Sequence, residues 1–281
     1  MRTPVAVLAL TLCYASLPPP AVRVQAQAAP VAAPALTDAQ IEQFLLNAKV
    51  LRTRGTQKGV TDSMRATLTD GNLTHDAHIQ TVEISKREFQ GKQGTEFNFR
   101  DSWTFNVAAY KLDRMIGLYL VPVSVKRNFK NEQAAYTWWV DDYQMDEGDR
   151  QKKKMAPANP QIWNEQMQLV RVFDQLIYNT DRNLGNLLIT NDWRIWAIDH
   201  TRAFRQMDKL RAAENLTRCD RQVFERMKQL DKATLKKEVG EYLSDWDIDA
   251  LLARRNLIVA HFEQKGPGAL FDRQDKPVAQ K

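Results

Sequence analysis

The sequence predicts an α+β fold with a strand-rich N-terminal half and a mainly helical C-terminal half. Three observations lead there. Strand-like runs separated by turn residues occupy residues 55–84, 121–125 and 136–140, with Asp70-Gly71 as a hairpin signal. Apolar positions recur at helical spacing across residues 159–177 and again across 230–262. Between those helical stretches, Asp181 is followed by Asn186, by two short apolar runs, and then by Asp199. With 281 residues the chain can build one large domain or two small lobes around a shared cleft.

The first 28 residues read as an export signal. Arg2 supplies a positive start, and residues 5–17 form an apolar stretch too short to span a bilayer comfortably. Ala26-Gln27-Ala28 is an A-x-A-like cleavage site, which places the mature start near Ala29 and a linker over 29–36. Cys13 invites a lipoprotein reading, but Leu12 stands where a lipobox carries a small residue. Cleavage would leave Cys219 as the sole thiol, so no internal disulfide can form and a partly buried structural thiol is expected.

Composition narrows the function classes. A hydrophobic fraction of 43% and a charged fraction of 26% are those of an ordinary globular protein. No apolar run after the signal reaches the length of a transmembrane span. The net charge is +6, and +4 without the first 28 residues, an excess too small to indicate a nucleic-acid binder.

Element by element, Thr37 and Gln40 form a capping box before a helix that presents Ile41, Phe44, Leu45 and Ala48 on one face. Val60, Met64, Ala66 and Leu68 read as a strand whose partner runs over 74–84. Gly55-Thr56-Gln57-Lys58-Gly59 could let backbone N–H groups approach phosphates, or could be an ordinary turn. Residues 102–118 form a helix carrying Phe105, Ala108, Ala109, Leu112, Met115 and Ile116, with Asp101 or Ser102 as N-cap and Gly117 near its end. Strands follow at 121–125 and 136–140. Residues 144–158, with Lys152-Lys153-Lys154, read as a solvated linker or loop, or as a phosphate-attracting lid.

A long amphipathic helix begins at Asn159-Pro160 and carries Trp163, Met167, Val170, Phe173, Leu176 and Ile177. It delivers Asn179-Thr180-Asp181-Arg182-Asn183-Leu184-Gly185-Asn186. Residues 187–190 and 193–198 then have the character of paired strands around a turn at Asn191-Asp192. Such a hairpin brings Asn186 and Asp199 to one end. Helices over 230–242 and 247–262 complete the chain, with Ser244 or Asp247 as a cap. The four histidines lack metal-site spacing, and His200 is of interest for its place beside Asp199. Asn72-Leu73-Thr74 and Asn215-Leu216-Thr217 are glycosylation sequons.

An acid, an amide five residues on, a hairpin and a second acid suit phosphoryl transfer. One carboxylate orients the nucleophile, while an amide oxygen and another carboxylate hold the divalent ions that neutralise a triphosphate. Asp-Arg-Asn-x-Gly-Asn is equally good turn chemistry, so the motif alone does not decide.

Residues 173–204 resemble the catalytic core of the atypical protein/lipid kinase superfamily, which includes phosphoinositide kinases, HipA-type bacterial kinases and secretory-pathway kinases of the Golgi lumen. The resemblance implies a two-lobed protein-kinase-like fold, with a small β-rich N-lobe over 37–143 and a mainly helical C-lobe over 159–281. It implies Asp181 as catalytic carboxylate and Asn186 and Asp199 as ligands of Mg²⁺ or Mn²⁺, with ATP or another nucleoside triphosphate as substrate. His200-Thr201 takes the place of the usual Phe-Gly. Asn106-Val107-Ala108-Ala109-Tyr110-Lys111-Leu112-Asp113 resembles the superfamily's αC helix, with Asn106 where a Glu is expected. The Lys that normally pairs with that Glu aligns with Gln80, so two amides replace the phosphate-positioning ion pair. Lys86 and Lys111 are candidate substitutes. Val140 and Asp141 fall in the hinge that contacts the base.

Two functions follow as expectations. One is an exported, periplasmic or secreted phosphotransferase acting on an unidentified protein or small-molecule acceptor, by phosphorylation or adenylylation. The other is a pseudokinase that binds a nucleotide, a phosphate ester or a protein without turnover. Gln80, Asn106 and the low ATP content of a periplasm favour the second, and the set Asp181, Asn186 and Asp199 favours the first. An exported structural domain that binds no nucleotide is a third reading.

Overall fold

The computed structural model describes residues 36–55, 63–91 and 94–274. The expected signal peptide, most of the 29–36 linker and the turn residues Thr56, Gln57, Lys58 and Gly59 lie outside them. Among the described residues no helix is long and apolar enough to cross a membrane.

The N-terminal portion contains α1 (Asp38–Asn47), strands β1 (Lys49–Gly55), β2 (Ser63–Thr69), β3 (Thr74–Gln80), β4 (Glu83–Gly91) and β5 (Gly94–Ser102), then α2 (Thr104–Ile116), β6 (Ser124–Phe129) and β7 (Glu132–Trp138). Five of these strands form one antiparallel sheet in the order β1-β2-β3-β7-β6. Ala66, Leu68, Ala77 and Ile79 alternate into its buried face. The 70–73 turn closes because Asp70 Oδ1 accepts the N–H groups of Asn72 and Leu73 at 2.9 and 2.8 Å, with Gly71 at φ +95°. The Thr37/Gln40 capping box forms, and Ile41, Phe44 and Leu45 of α1 are buried.

The C-terminal portion holds β8 (Tyr143–Asp146), α3 (Glu147–Lys152), α4 (Pro160–Leu176), β9 (Leu187–Thr190), β10 (Ile195–Ala197), β11 (Cys219–Asp220), α5 (Arg221–Lys228), α6 (Lys232–Val239), α7 (Asp245–Lys265) and β12 (Leu270–Phe271). A small sheet runs β10-β9-β8, and β11 pairs parallel with β12. Helix α4 starts on Asn159, whose side chain accepts two N–H groups, with Pro160 in the first turn. Ser244 and Asp247 make a capping box for α7. Cys219 is fully buried, deeper than the partly buried thiol expected.

Several elements differ from expectation. The partner strand ends at Gln80, and residues 83–102 form a separate two-stranded hairpin, β4-β5. Strand β4 and the first half of β5 are largely exposed and burial is confined to Phe99, Asp101 and Ser102, so little of the ribbon shows the apolar alternation that marks a half-buried strand. Helix α2 begins at Thr104 after Trp103, and its end Gly117 adopts φ +71°. Ser102 Oγ accepts the Thr104 N–H at 3.2 Å, while Asp101 belongs to the hairpin. The strand expected at 121–125 starts at Ser124, because Asp113 takes the N–H groups of Tyr119, Leu120 and Val121 at 3.0, 2.8 and 3.1 Å, and Pro122 has none. Strand β7 occupies 132–138, with Val140 beyond it.

The linker or loop expected over 144–158 instead contains β8 and α3. Asp146 caps the helix through the Asp149 N–H at 2.8 Å, and Glu147 pairs with Arg150 at 2.6 Å. Helix α5, unread in the sequence, is capped by Asp220.

Candidate active site

The strand-rich and helical lobes enclose a cleft of about 1990 Å³. Asp181, Asn186 and Asp199 all line it, as do Gln80, Asn106, Val140, Asp141 and His200. These residues come from β3, α2, the 139–142 connection and the 178–201 region.

The spacing within the acid–amide–acid motif has a backbone cause. Leu187 pairs with Ala197 across the β9-β10 hairpin, and the Ile198 N–H donates to the Asn186 carbonyl at 3.0 Å. Asn186 and Asp199 thus emerge from the same end of the hairpin. The Asn186 amide nitrogen contacts the Asp181 carbonyl at 3.4 Å. Asp199 adopts φ +55°, a left-handed conformation that a short polar side chain tolerates better than most, and Thr201 donates to its Oδ1 at 3.1 Å.

Arg182 organises the motif from behind. It pairs with Asp174 of α4 at 3.0 Å and donates to the carbonyls of Asn186 and Ile198 at 3.1 and 2.8 Å. It also meets His200 Nε2 at 2.9 Å. A guanidinium only donates, so Nε2 is the acceptor and the ring proton sits on Nδ1. Burial, followed by the Arg182 charge, holds His200 well below its usual pKa. The ring is a neutral support under Asp199.

Two further clamps hold the loops. Thr180 Oγ1 donates to the Arg202 carbonyl at 3.1 Å, and the Phe204 N–H donates to the Ile177 carbonyl at 2.6 Å. Fully buried Arg254 of α7 donates to the carbonyls of Leu176 and Arg205 at 2.8 and 3.0 Å. From the other lobe, the Ala197 N–H reaches the Leu120 carbonyl at 2.9 Å, so the segment that Asp113 secures also braces the hairpin before Asp199.

On the roof, Asn106 Nδ2 donates to Gln80 Oε1 at 3.2 Å, and Asn106 Oδ1 accepts the His200 N–H at 2.8 Å. Both side chains are buried. His78, one residue pair earlier on β3, also lines the cleft, and burial lowers its pKa against the pull of Asp199. Lys86 of β4 is in the lining, its ammonium 5.6 Å from the centre of the Phe89 ring. Lys111 is not in that lining and lies near Glu241 on the far side of α2, so it does not replace the missing lysine. Asp141 meets His75 at 2.6 Å, and His75 stacks on Trp138 at 3.5 Å.

Sequence reasoning missed the β4-β5 hairpin as a wall of this cleft. Glu96 bridges Arg202 and Arg205 at 2.7 and 3.0 Å, and Arg100 grips Asp247 of α7 through two bonds of 2.6 and 3.0 Å. Arg202 also approaches Asp181 at 3.6 Å. Burial lifts the Asp181 carboxyl above its usual range; Arg202 opposes that shift and Asp199 adds to it. The one sequence signal for the hairpin was the pair Gly91 and Gly94 around its turn.

Among the described residues no three His, Cys, Asp or Glu side chains converge into a ready-made metal site. One carboxylate and one amide oxygen at a cleft edge match instead the way Mg²⁺ is held beside a nucleotide, with phosphates and water filling its remaining positions.

No protein-family model matches the chain, and no curated protein matches it in sequence. Solved structures do match. A structure of the Golgi casein kinase superposes with TM-score 0.57 at 14% identity, covering 85% of this chain and 79% of that one. Hydra Fam20 with sugar gives TM-score 0.59 at 15% identity, covering 84% and 93%. The Golgi casein kinase with Mn/ADP bound gives 0.57 at 13%, covering 84% and 78%.

The fold is kinase-like. In this chain that fold is a β-rich N-lobe built on a five-stranded sheet, a helical C-lobe, and a cleft between them.

Proposed function

We propose that this protein is an exported phosphotransferase that uses a nucleoside triphosphate and Mg²⁺ or Mn²⁺, with Asp181 as the catalytic carboxylate. The observation that carries the reading is that Asp181, Asn186 and Asp199 line one cleft of a kinase-like fold, with Asn186 and Asp199 at the same end of one hairpin. A metal ion bound there supplies neutralisation of the triphosphate charge. Asn186 and Asp199 are its holders. Asp181 orients the acceptor hydroxyl and receives its proton, and a carboxyl lifted above its usual range is the better base for that task. Gln80 and Asn106 contact the phosphates as neutral donors, and Val140 and Asp141 flank the base. Export rests on the signal-like residues 1–28.

The neutral Gln80–Asn106 pair favours a second reading, a pseudokinase that binds a nucleotide without turnover. Incubation with labelled ATP, with Mg²⁺ and Mn²⁺ in turn, separates the two. Transfer or hydrolysis that Asp181→Ala abolishes supports the first reading. Metal-dependent binding without turnover supports the second, and absence of both refutes each. The mass added to any modified acceptor distinguishes phosphorylation from adenylylation. Amino-terminal sequencing of the protein recovered from its host tests cleavage after Ala28.

A further inference from the structure

One carboxylate in the cleft has no role in the scheme above. Asp101, near the end of β5, lines the same cavity as Asp181, Asn186 and Asp199. It is only 7% exposed, and its Oδ1 is buried with no hydrogen-bond partner. The backbone fixes it there, because the adjacent Ser102 N–H donates to the Thr201 carbonyl at 2.9 Å. The end of the hairpin is thereby tied to the segment that follows Asp199.

The Thr201 hydroxyl donates to Asp199 Oδ1 at 3.1 Å and also lies within hydrogen-bonding reach of the Asp101 carboxyl. A hydroxyl carries a single proton, so it can satisfy one of these carboxylates and not both. Nearby positive charge is shared: Arg202 binds Glu96 at 2.7 Å, faces Asp181 at 3.6 Å and also acts on Asp101 through its charge, yet it makes no hydrogen bond to Asp101 Oδ1. A buried carboxylate oxygen with no partner is costly, and such groups are normally neutralised or bound to a cation. Neutralisation of this oxygen can come from a proton or from a divalent cation shared with Asp199, and the test below separates the two.

We propose that Asp101 is an additional ligand for the divalent cation, acting with Asp199 from the hairpin side of the cleft. Asp101 then supplies a carboxylate that the amide of Asn106 does not. The inference rests on the metal–nucleotide reading of this cleft. Two carboxylates and the Asn186 amide oxygen leave room for phosphate and water oxygens in an octahedral shell.

The test is Mn²⁺ titration of the purified protein, followed by electron paramagnetic resonance with and without ADP. Asp101→Asn is expected to weaken Mn²⁺ binding about tenfold or more, while ADP binding in a chelator stays unchanged. An Asp101→Asn protein that binds Mn²⁺ within twofold of the parent overturns the proposal and marks Asp101 as a neutral structural acid. A parent protein that binds no Mn²⁺ in either condition overturns the metal–nucleotide reading and this inference together. A measurement on the unaltered protein guards against misfolding of the variant. Bound Fe²⁺ with ascorbate should cleave the backbone beside residues 101, 186 and 199, and cleavage beside 186 and 199 alone excludes Asp101 from the coordination shell.

Discussion

Asn106 joins three parts of the cleft through one side chain: its amide nitrogen donates to Gln80 of β3, and its oxygen accepts the N–H of His200, next to Asp199. The roof strand, the α2 helix and the Asp199 segment are therefore registered by a neutral amide, where the sequence expectation was a pair of amides in place of an ion pair. Asn106→Glu alone places an unpaired carboxylate in a buried site and should cost about 2–4 kcal/mol in thermal unfolding. Adding Gln80→Lys supplies its counter-charge. The double variant should recover much of that stability and transfer phosphate faster than the parent. A double variant no more stable than Asn106→Glu would show that the two positions do not couple.

Asp181→Asn keeps the shape of the side chain and removes its basicity. Transfer should fall by roughly 10²–10⁴-fold, while nucleotide affinity changes little on the proposed reading, in which Asn186 and Asp199 are the metal's holders. Single-turnover assays beside calorimetric binding read the two effects separately. Equal transfer by the parent and the variant would remove Asp181 from the chemistry.

Arg182 touches Asp174, two carbonyls and His200, so its loss affects support rather than charge at the reacting atoms. Arg182→Ala leaves buried acceptors unpaired and should cost about 3 kcal/mol in denaturant unfolding. It should also weaken Mn²⁺–nucleotide binding. Arg182→Lys should restore only part of either loss, since a point charge cannot reproduce the guanidinium fork. Unchanged stability in Arg182→Ala would contradict this account.

The Arg100–Asp247 pair docks the β4-β5 hairpin on α7. Burial alone would raise the Asp247 carboxyl, but the Arg100 bonds and charge, with Ser244, outweigh it and hold the group below its usual range. A depressed folded pKa means the pair's stabilisation is present above the unfolded carboxylate pKa and is lost as pH falls through the folded value. Stability should therefore drop below about pH 4, and Asp247→Asn should flatten that part of the profile while lowering stability at pH 7. A variant with the same acid limb as the parent would show that other carboxylates set it.

Burial pushes the Cys219 thiol up to about 12, so almost none of it is thiolate at pH 8. Iodoacetamide should leave it unmodified in the folded protein and modify it at the rate of a free thiol in denaturant. Rapid alkylation of the native protein would mean that the β11 region opens.

Legibility in the sequence tracked how locally each feature is encoded. The Thr37/Gln40 box, the Asp70-Gly71 turn, the Asn159-Pro160 start of α4 and the Ser244/Asp247 cap were readable because each depends on residues within a few positions. The β9-β10 hairpin was readable too, and with it the shared edge of Asn186 and Asp199. The β4-β5 ribbon was not, because its burial is confined to the C-terminal end of β5 and gives too short an apolar alternation to read. The start of β6 was hidden for another reason: Asp113 claims the backbone N–H groups that a strand would use.

By itself, then, the sequence determined the strand-rich-then-helical order of the chain, several helix caps and the β9-β10 hairpin that carries Asn186 and Asp199, because short-range periodicity and capping chemistry are written in neighbouring positions. Only the tertiary structure decided what surrounds them. The Gln80–Asn106 bond, the Glu96 bridge to Arg202 and Arg205, the Ala197 bond to Leu120 and the buried orphan oxygen of Asp101 all join or isolate groups far apart along the chain. Such contacts depend on how lobes and ribbon pack, and packing is a property of the folded whole that no local pattern carries.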